Sequence, residues 1–307
     1  MARHRPAFRA APLRVRVPAT SANLGPGFDA LGLALELHDD VVVRVMDEPG
    51  LRVDVAGMGA ASVPRNNRHL VVRSMRAAFK LLGGAPDGLE VVCANRIPHG
   101  RGLGSSAAAI VAGVVAARGL VVNGAERLDD DGVLALAARL EGHPDNVAAC
   151  LRGGLTVAWT DGDGEAKAVG VPVSDRLAPV AFIPGSSSST KAARRLLPES
   201  VPHVDAARNA GRSALLVAAL RAQPDLLFDA TEDALHQQYR APAMPRTAAL
   251  LAELRAAGLP AVVSGAGPTV VALTTKATRE RALGFTRRGW TVLPLDVDSN
   301  GASIVPV

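Results

Sequence analysis

Cysteine and aromatic residues are scarce: the 307-residue chain holds two cysteines, one tyrosine, two tryptophans and six phenylalanines. Cys93 and Cys150 lie far apart and belong to no CxxC or Cys/His cluster, which excludes a disulfide framework and a structural zinc site. A reducing compartment is expected. Aromatics at 3% cannot supply the stacking surfaces that single-stranded nucleic acids need. The balance is basic, +5 with a pI near 9.8, yet Arg and Lys are spread along the chain. That excess suits a small anionic ligand, and no nucleic-acid partner is expected. No run of about 18 apolar residues occurs, and no apolar segment with a cleavage site follows the basic start MARHRPAFRAAP. The chain is therefore expected to be soluble and cytoplasmic, with no membrane partner. What it does contain is 48% hydrophobic residues, enough to bury one large or two medium cores.

After an N-terminal arm read as flexible, residues 13–18 alternate like a strand and residues 40–45 form a second, Val-rich one. Between them TSANLGPGFDALG, residues 20–32, reads as a loop that brings backbone close to a ligand. A helix is predicted over 68–82 and a strand over 89–94; a buried helix over 106–118 is closed by Gly119, and another helix spans 131–141. Pro144 favours a fresh helix start, a strand covers 155–159, and 161–167 is a turn-rich connection. A domain boundary is placed near Gly170. Beyond it the pattern predicts a strand at 180–183, helices at 204–221, 225–236, 245–257 and 278–288, a strand pair around 264–269 and a strand at 290–297. There is no internal repeat.

The richest motif follows the strand at 89–94. PHGRGLGSSAAA, residues 98–109, alternates Gly100, Gly102 and Gly104 before two serines and an Ala-rich helix. Strand, glycine loop and helix start together form an anion site, because unpaired N–H groups and the positive end of the dipole converge where Cβ atoms are absent. A plain tight turn capped by Ser105 or Ser106 fits the same residues. No GxxxxGK[ST] occurs, and the spacing differs from GxGxxG, so the two common nucleotide folds are disfavoured.

This segment resembles the second motif of the GHMP small-molecule kinases, Pro-x-x-x-Gly-Leu-Gly-Ser-Ser-Ala-Ala. VPATSANLGPGFDALGLAL at 17–35 and EGHPDNVA at 141–148 resemble the homoserine kinases of that superfamily, and SGAGPTVVAL at 264–273 resembles its third motif. Four motifs in order, spanning nearly the whole chain, form a specific signature. The resemblance implies an α+β, two-domain GHMP kinase fold. An N-terminal nucleotide-binding domain would cover 13–170 and a ferredoxin-like C-terminal domain 171–307. It implies a kinase that uses ATP and Mg²⁺ to phosphorylate L-homoserine in threonine biosynthesis, and it is compatible with a homodimer.

Residue by residue, the resemblance assigns the ATP phosphates to Pro98, His99, Gly100, Arg101, Gly102, Leu103, Gly104, Ser105, Ser106, Ala107 and Ala108. It assigns Mg²⁺ to Ser106 and Glu141, oxygen donors of the type this hard cation prefers. Many relatives separate that glutamate further from the histidine; here only Gly142 intervenes. Homoserine carries a carboxylate, an ammonium and a hydroxyl. Arg194, in STKAARRLLP, and Arg240, in HQQYR, are assigned to the carboxylate; Asn23, Asp29 and His143 line the same pocket. The resemblance makes Asp145 and Asn146 the expected catalytic pair. Related mevalonate and galactose kinases have a basic aspartate where this chain has Asn146, which cannot be a base. Catalysis by alignment and charge stabilisation is expected, with Asp145 bonding the hydroxyl. Singly, each residue also has a structural reading: a solvated helix-end Glu141, a capping His143, an Asp145 answering the helix dipole, surface arginines. His69-Leu70-Val71 stands where many relatives have Asn-Leu-Ile, which leaves the adenine contacts open. The rival functions are another GHMP kinase, acting on mevalonate or a similar alcohol, and a catalytically silent nucleotide sensor.

Overall fold

The computed structural model describes residues 6–307. Of the arm read as flexible, residues 1–5 lie outside the described residues. From Pro6 the arm is docked instead: Val122 donates its N–H to Ala7 O at 2.9 Å and Arg9 to Leu120 O at 2.8 Å. Phe8 sets its ring edge-on to Phe79, 5.9 Å between centroids. A single aromatic with an apolar surface to cover outweighs the basic composition of the arm.

Among the described residues, seven strands form one sheet and four form a second. β1 (Leu13–Ala22) and β2 (Leu31–Met46) make a long hairpin, with a register shift at Pro18/Ala19. β3 (Gly50–Gly57) runs parallel to β4 (Gly88–Asn95), which pairs with β2. The order is β11-β1-β2-β4-β3, with β5 (Leu155–Thr160) on the start of β2 and β6 (Ala166–Val171) beside it. β11 (Ser303–Val305), unseen in the sequence pattern because it is three residues long, brings the chain's end back to β1.

Helices α1 (Leu70–Leu82), α2 (Ser105–Leu120), α3 (Gly124–Arg127), α4 (Asp130–Glu141) and α5 (Asp145–Arg152) accompany this sheet. α2 is apolar on nearly every side and correspondingly buried, as a helix without a polar face must be. Gly119, expected to close it, lies inside it; α2 ends at Val121 in extended conformation. α5 begins behind Pro144 as expected. It approaches the sheet closely because Gly32 of β2 has no side chain: a Cβ there would meet the Asp145 carbonyl and lie 2.9 Å from Ala149 Cβ.

After β6 come β7 (Val180–Pro184), α6 (Thr190–Arg194) and α7 (His203–Arg221), then α8 (Leu227–Ala230), α9 (Gln237–Arg240) and α10 (Pro245–Ala256). β8 (Ala261–Val263), β9 (Val270–Ala272), α11 (Arg279–Leu283) and β10 (Trp290–Pro294) complete the second unit. Its sheet order, β10-β7-β9-β8, is that of a split β-α-β fold, the ferredoxin-like arrangement. One expectation fails here and one is displaced. Residues 225–236 are not one helix but a short turn, α8 and a non-helical segment, because Asp233 turns its carboxylate onto the N–H groups of Leu235, His236 and Gln237. The strand pair expected around 264–269 forms as β8 and β9 on either side of that stretch, and residues 264–269 are the loop joining them, with a cis peptide at Gly267-Pro268.

The core is continuous across both units and includes Phe79, Ile110 and Leu216; a smaller cluster around Phe182, Leu250 and Leu254 packs α10 on the second sheet. Cys93 and Cys150 are buried free thiols, and burial pushes Cys93 up to about 12, which leaves it unreactive. Among the described residues, no helix is long and apolar enough to cross a membrane.

Candidate active site

Three loops meet at a cleft lined by residues of both units. The loop after β4 is set by Asp39 of β2, whose Oδ1 accepts the N–H groups of Arg96 at 2.6 Å and Ile97 at 2.9 Å. It then runs through Gly100, Gly102 and Gly104, all at positive φ, into α2. Gly104 is the residue before the helix; at φ 68° no side chain caps the first turn, and a Cβ there would strike Thr20 Oγ1. Capping by Ser105 or Ser106 is therefore not what the residues do. Ser106 instead turns its hydroxyl to Glu141 Oε1 at 2.5 Å. The N–H groups and dipole of a 16-residue buried helix thus face the cleft with two hard oxygens beside them. Burial raises Glu141 above the usual carboxylate range, with the Ser106 bond and His143 acting in the opposite sense. A hydroxyl and a carboxylate oxygen next to a phosphate-binding loop are the donor set that suits Mg²⁺, which takes few protein ligands and fills the rest with phosphate and water.

The start of α5 carries the second group. Asp145, 2% exposed, accepts on Oδ1 both its neighbour's backbone N–H, from Asn146 at 2.8 Å, and His143 Nδ1 at 2.6 Å. That hydrogen bond is the main reason His143 is raised above its usual value, against the effect of burial. Oδ2 is left as the remaining acceptor. Asn146 Oδ1 accepts the Thr20 hydroxyl at 2.7 Å, which leaves its amide N–H groups available.

The third group belongs to the β1–β2 turn and the second unit. Asn23 and Asp29 sit at positive φ in a loop that spans only residues 23–30, because both flanking strands extend into the stretch read as loop. Asn23 Nδ2 donates to Gly265 O at 2.8 Å, and its Oδ1 receives the Asp29 N–H at 3.0 Å. Asp29 and Arg194 form a two-pronged ion pair, 2.8 and 2.9 Å. Arg240 is different. It is 2% exposed, yet among the described residues no carboxylate pairs with it. Its Nη1 reaches His236 Nδ1 and Gly265 O, its Nε has no partner among the described residues, and its guanidinium lies 5.3 Å from the Phe28 ring centroid. Burial and the neighbouring Arg194 lower it from the usual arginine value.

One polar cleft of about 80 Å³ brings together Asn23, Asp29, Gly100, Gly102, Gly104, Ser105, Ser106, Glu141, His143, Asp145, Asn146, Arg194 and Arg240. The other assigned residues lie outside it. Leu103 and Ala107 are buried, Pro98 faces a groove on the far side of the loop, and His99 and Ala108 line a second, apolar cavity of about 260 Å³. Arg101 is committed elsewhere: its guanidinium donates to the carbonyls of His99 (2.6 Å), Pro184 (3.1 Å) and Gly185 (2.6 Å). The apolar cavity adjoins the polar cleft through Ser105 and Ser106 and is bounded by Val17, Val41, Val63 and the start of α1. His69 lines it, buried, and its Nδ1 has no partner among the described residues.

Several supporting residues were not singled out from sequence. Thr20 and Ser21 bond Asn146 and Ser264; Ser264 Oγ also meets Gly102 O at 2.5 Å; Ser188 Oγ donates to Gly267 O at 2.8 Å. Phe28 and His236 stack with 5.0 Å between centroids. All but Ser188 lie inside the quoted motifs, which was the available signal; their partners are more than 75 residues away.

The family models described as GHMP kinases N terminal domain and GHMP kinases C terminal match residues 69–154 and 213–288, which defines the class. Homoserine kinases of Streptomyces avermitilis and Streptomyces coelicolor are each 61% identical over 302 residues, covering 98% of this chain and 98% and 97% of theirs. The crystal structure of homoserine kinase from Cytophaga hutchinsonii superposes with a TM-score of 0.79 at 27% identity, covering 96% of this chain and 97% of that one. The chain belongs to the GHMP kinases and, within them, to the homoserine kinase family.

Proposed function

We propose that this cleft transfers the γ-phosphoryl group of ATP to the side-chain hydroxyl of L-homoserine, giving O-phospho-L-homoserine, a step of threonine biosynthesis. The observation that carries the reading is the pairing of a buried, carboxylate-free Arg240 with Asp29 and Asp145 in one cleft beside the phosphate loop. Such a wall suits a zwitterion bearing a hydroxyl: Arg240 and Arg194 take the carboxylate, Asp29 with Asn23 the ammonium, and Asp145 the hydroxyl. The loop from Gly100 to Ser106 holds the phosphates on backbone N–H groups at the start of α2. Ser106 and Glu141 would hold Mg²⁺, which would supply neutralisation of the phosphate charge during transfer. The apolar cavity beside Ser105 accepts the base, with His69 at its edge.

Asp145 acts by positioning. Its Oδ1 is already occupied by the Asn146 N–H and by His143, which leaves Oδ2 to hold the substrate hydroxyl in line. Asn146 and the helix start stabilise charge as it moves onto the transferred group. Consumption of ATP and two buried free thiols fit a cytoplasmic enzyme. The division between an ATP-binding half and a C-terminal half near residue 170 is supported by the chain leaving the larger sheet after Val171.

The test is an assay with ATP and Mg²⁺ across homoserine, mevalonate, serine and threonine. Phosphorylation of homoserine with at least about tenfold greater kcat/KM than the others is expected. Equal or faster turnover of mevalonate would sink the assignment, and ATP binding without turnover of any alcohol would favour the sensor reading.

A further inference from the structure

The buried Arg240 has one hydrogen-bonded side chain next to it, and that side chain has a defined protonation state. His236 is fully buried, directly before α9, and stands four residues ahead of Arg240. Its Nε2 lies 2.9 Å from Gly25 O, a group that only accepts, so Nε2 carries the hydrogen. Its Nδ1 lies 3.1 Å from Arg240 Nη1, a group that only donates, so Nδ1 presents a lone pair.

We propose that His236 is a positioning residue for substrate recognition: neutral and protonated on Nε2, it ties Arg240 to the β1–β2 loop at Gly25 and aims the guanidinium at the substrate carboxylate. The proposal rests on the homoserine reading and deepens it. A second proton on Nδ1 would remove the acceptor and set two cations side by side in a water-excluded place.

The charged groups facing this ring are Arg240, Asp233, Asp29 and, through Arg240, Arg194 and Asp145. Asp233 Oδ2 is 3.8 Å from Nε2, but it already accepts the backbone N–H groups of His236 and Gln237 at 3.1 and 2.7 Å. Burial is the largest influence and holds the imidazole below its usual value, in keeping with the neutral form. Phe28 completes the support. Its ring stacks on the imidazole with planes 24° apart, and its centroid lies 5.3 Å from the Arg240 guanidinium, a cation–π distance. The other Arg240 contact, Gly265 O at 3.3 Å from the same Nη1, is too long to fix the guanidinium alone.

The experiment compares the full-length wild type with His236→Leu and His236→Gln, because a glutamine amide can donate to Gly25 O and accept from Arg240 as the histidine does. Nitrogen-15 spectra of histidine-labelled wild type, recorded without substrate, are expected to give the neutral Nε2–H pattern for one histidine, a signal absent from His236→Gln. His236→Leu is expected to raise the homoserine KM about tenfold, while the ATP KM and kcat at saturating homoserine stay within about twofold; His236→Gln is expected to return the homoserine KM to within about threefold of wild type. An imidazolium or Nδ1–H pattern overturns the proposal. So does a homoserine KM unchanged in a folded leucine variant, or a glutamine variant that rescues nothing. Where the leucine variant fails to fold, the spectra and the glutamine variant decide. A wild type that turns over no homoserine would instead sink the substrate reading and leave the tautomer result standing.

Discussion

Asp145 is the residue on which the mechanism turns. Both hydrogen bonds it accepts converge on Oδ1. An asparagine keeps this shape and one oxygen, so the substrate hydroxyl stays anchored. Asp145→Asn is accordingly expected to lose about 10²-fold in kcat or less and to keep the shape of the kcat–pH profile, whereas Asp145→Ala loses more because the hydroxyl can turn away from in-line attack. Single-turnover rates at saturating homoserine and Mg-ATP are the measurement. Should the asparagine variant match the alanine variant and lose the acidic limb, Asp145 is the base. At this scale much was legible beforehand. The motif positions of Ser106, Glu141, His143 and Asp145 do converge in one cleft, but the Asp29–Arg194 pair was not readable, since its partners stand 165 residues apart and each had been given to the substrate alone.

Among the elements, α2 and its approach carry the phosphate site. Gly104 sits at φ 68°, and the missing Cβ is what lets Thr20 reach Asn146. Gly104→Ala adds a left-handed backbone penalty and displaces the Thr20 hydroxyl, so a stability loss of about 1–3 kcal/mol and at least about tenfold lower kcat/KM for ATP are expected. Chemical denaturation and ATP titration check this; a variant with wild-type values in both would mean that the loop geometry is not what binds phosphate. Among the helices, α1 has a strongly periodic pattern and was visible from spacing alone. The failures have local causes. Gly119 ends nothing because the burial of α2 outweighs the cost of a helical glycine, and residues 225–236 break because Asp233 offers the backbone another partner.

For the whole molecule, the point at issue is what couples the two sheets. Arg101 answers part of it, holding the phosphate loop to the end of β7 through the carbonyls of Pro184 and Gly185. Arg101→Leu leaves three carbonyls without their donor, and a stability loss of about 1–3 kcal/mol is expected, with a rise in the ATP KM that follows the loosened loop. A calorimetric melt alongside ATP titration tests it. Undiminished stability together with a large, selective loss of ATP affinity would instead return Arg101 to the phosphates.

The sequence by itself determined the class of chemistry, the phosphate loop, the buried α2 and the order of the motifs, because backbone freedom at glycine, helix periodicity and side-chain type are local properties. Only the tertiary structure decided which charges meet. It pairs Asp29 with Arg194, leaves Arg240 buried without a carboxylate among the described residues, hands Ser106 to Glu141 and returns β11 to the first sheet. Those outcomes depend on distances between residues remote in the chain, and on burial that makes an unpaired group costly, and neither quantity exists until the chain has folded.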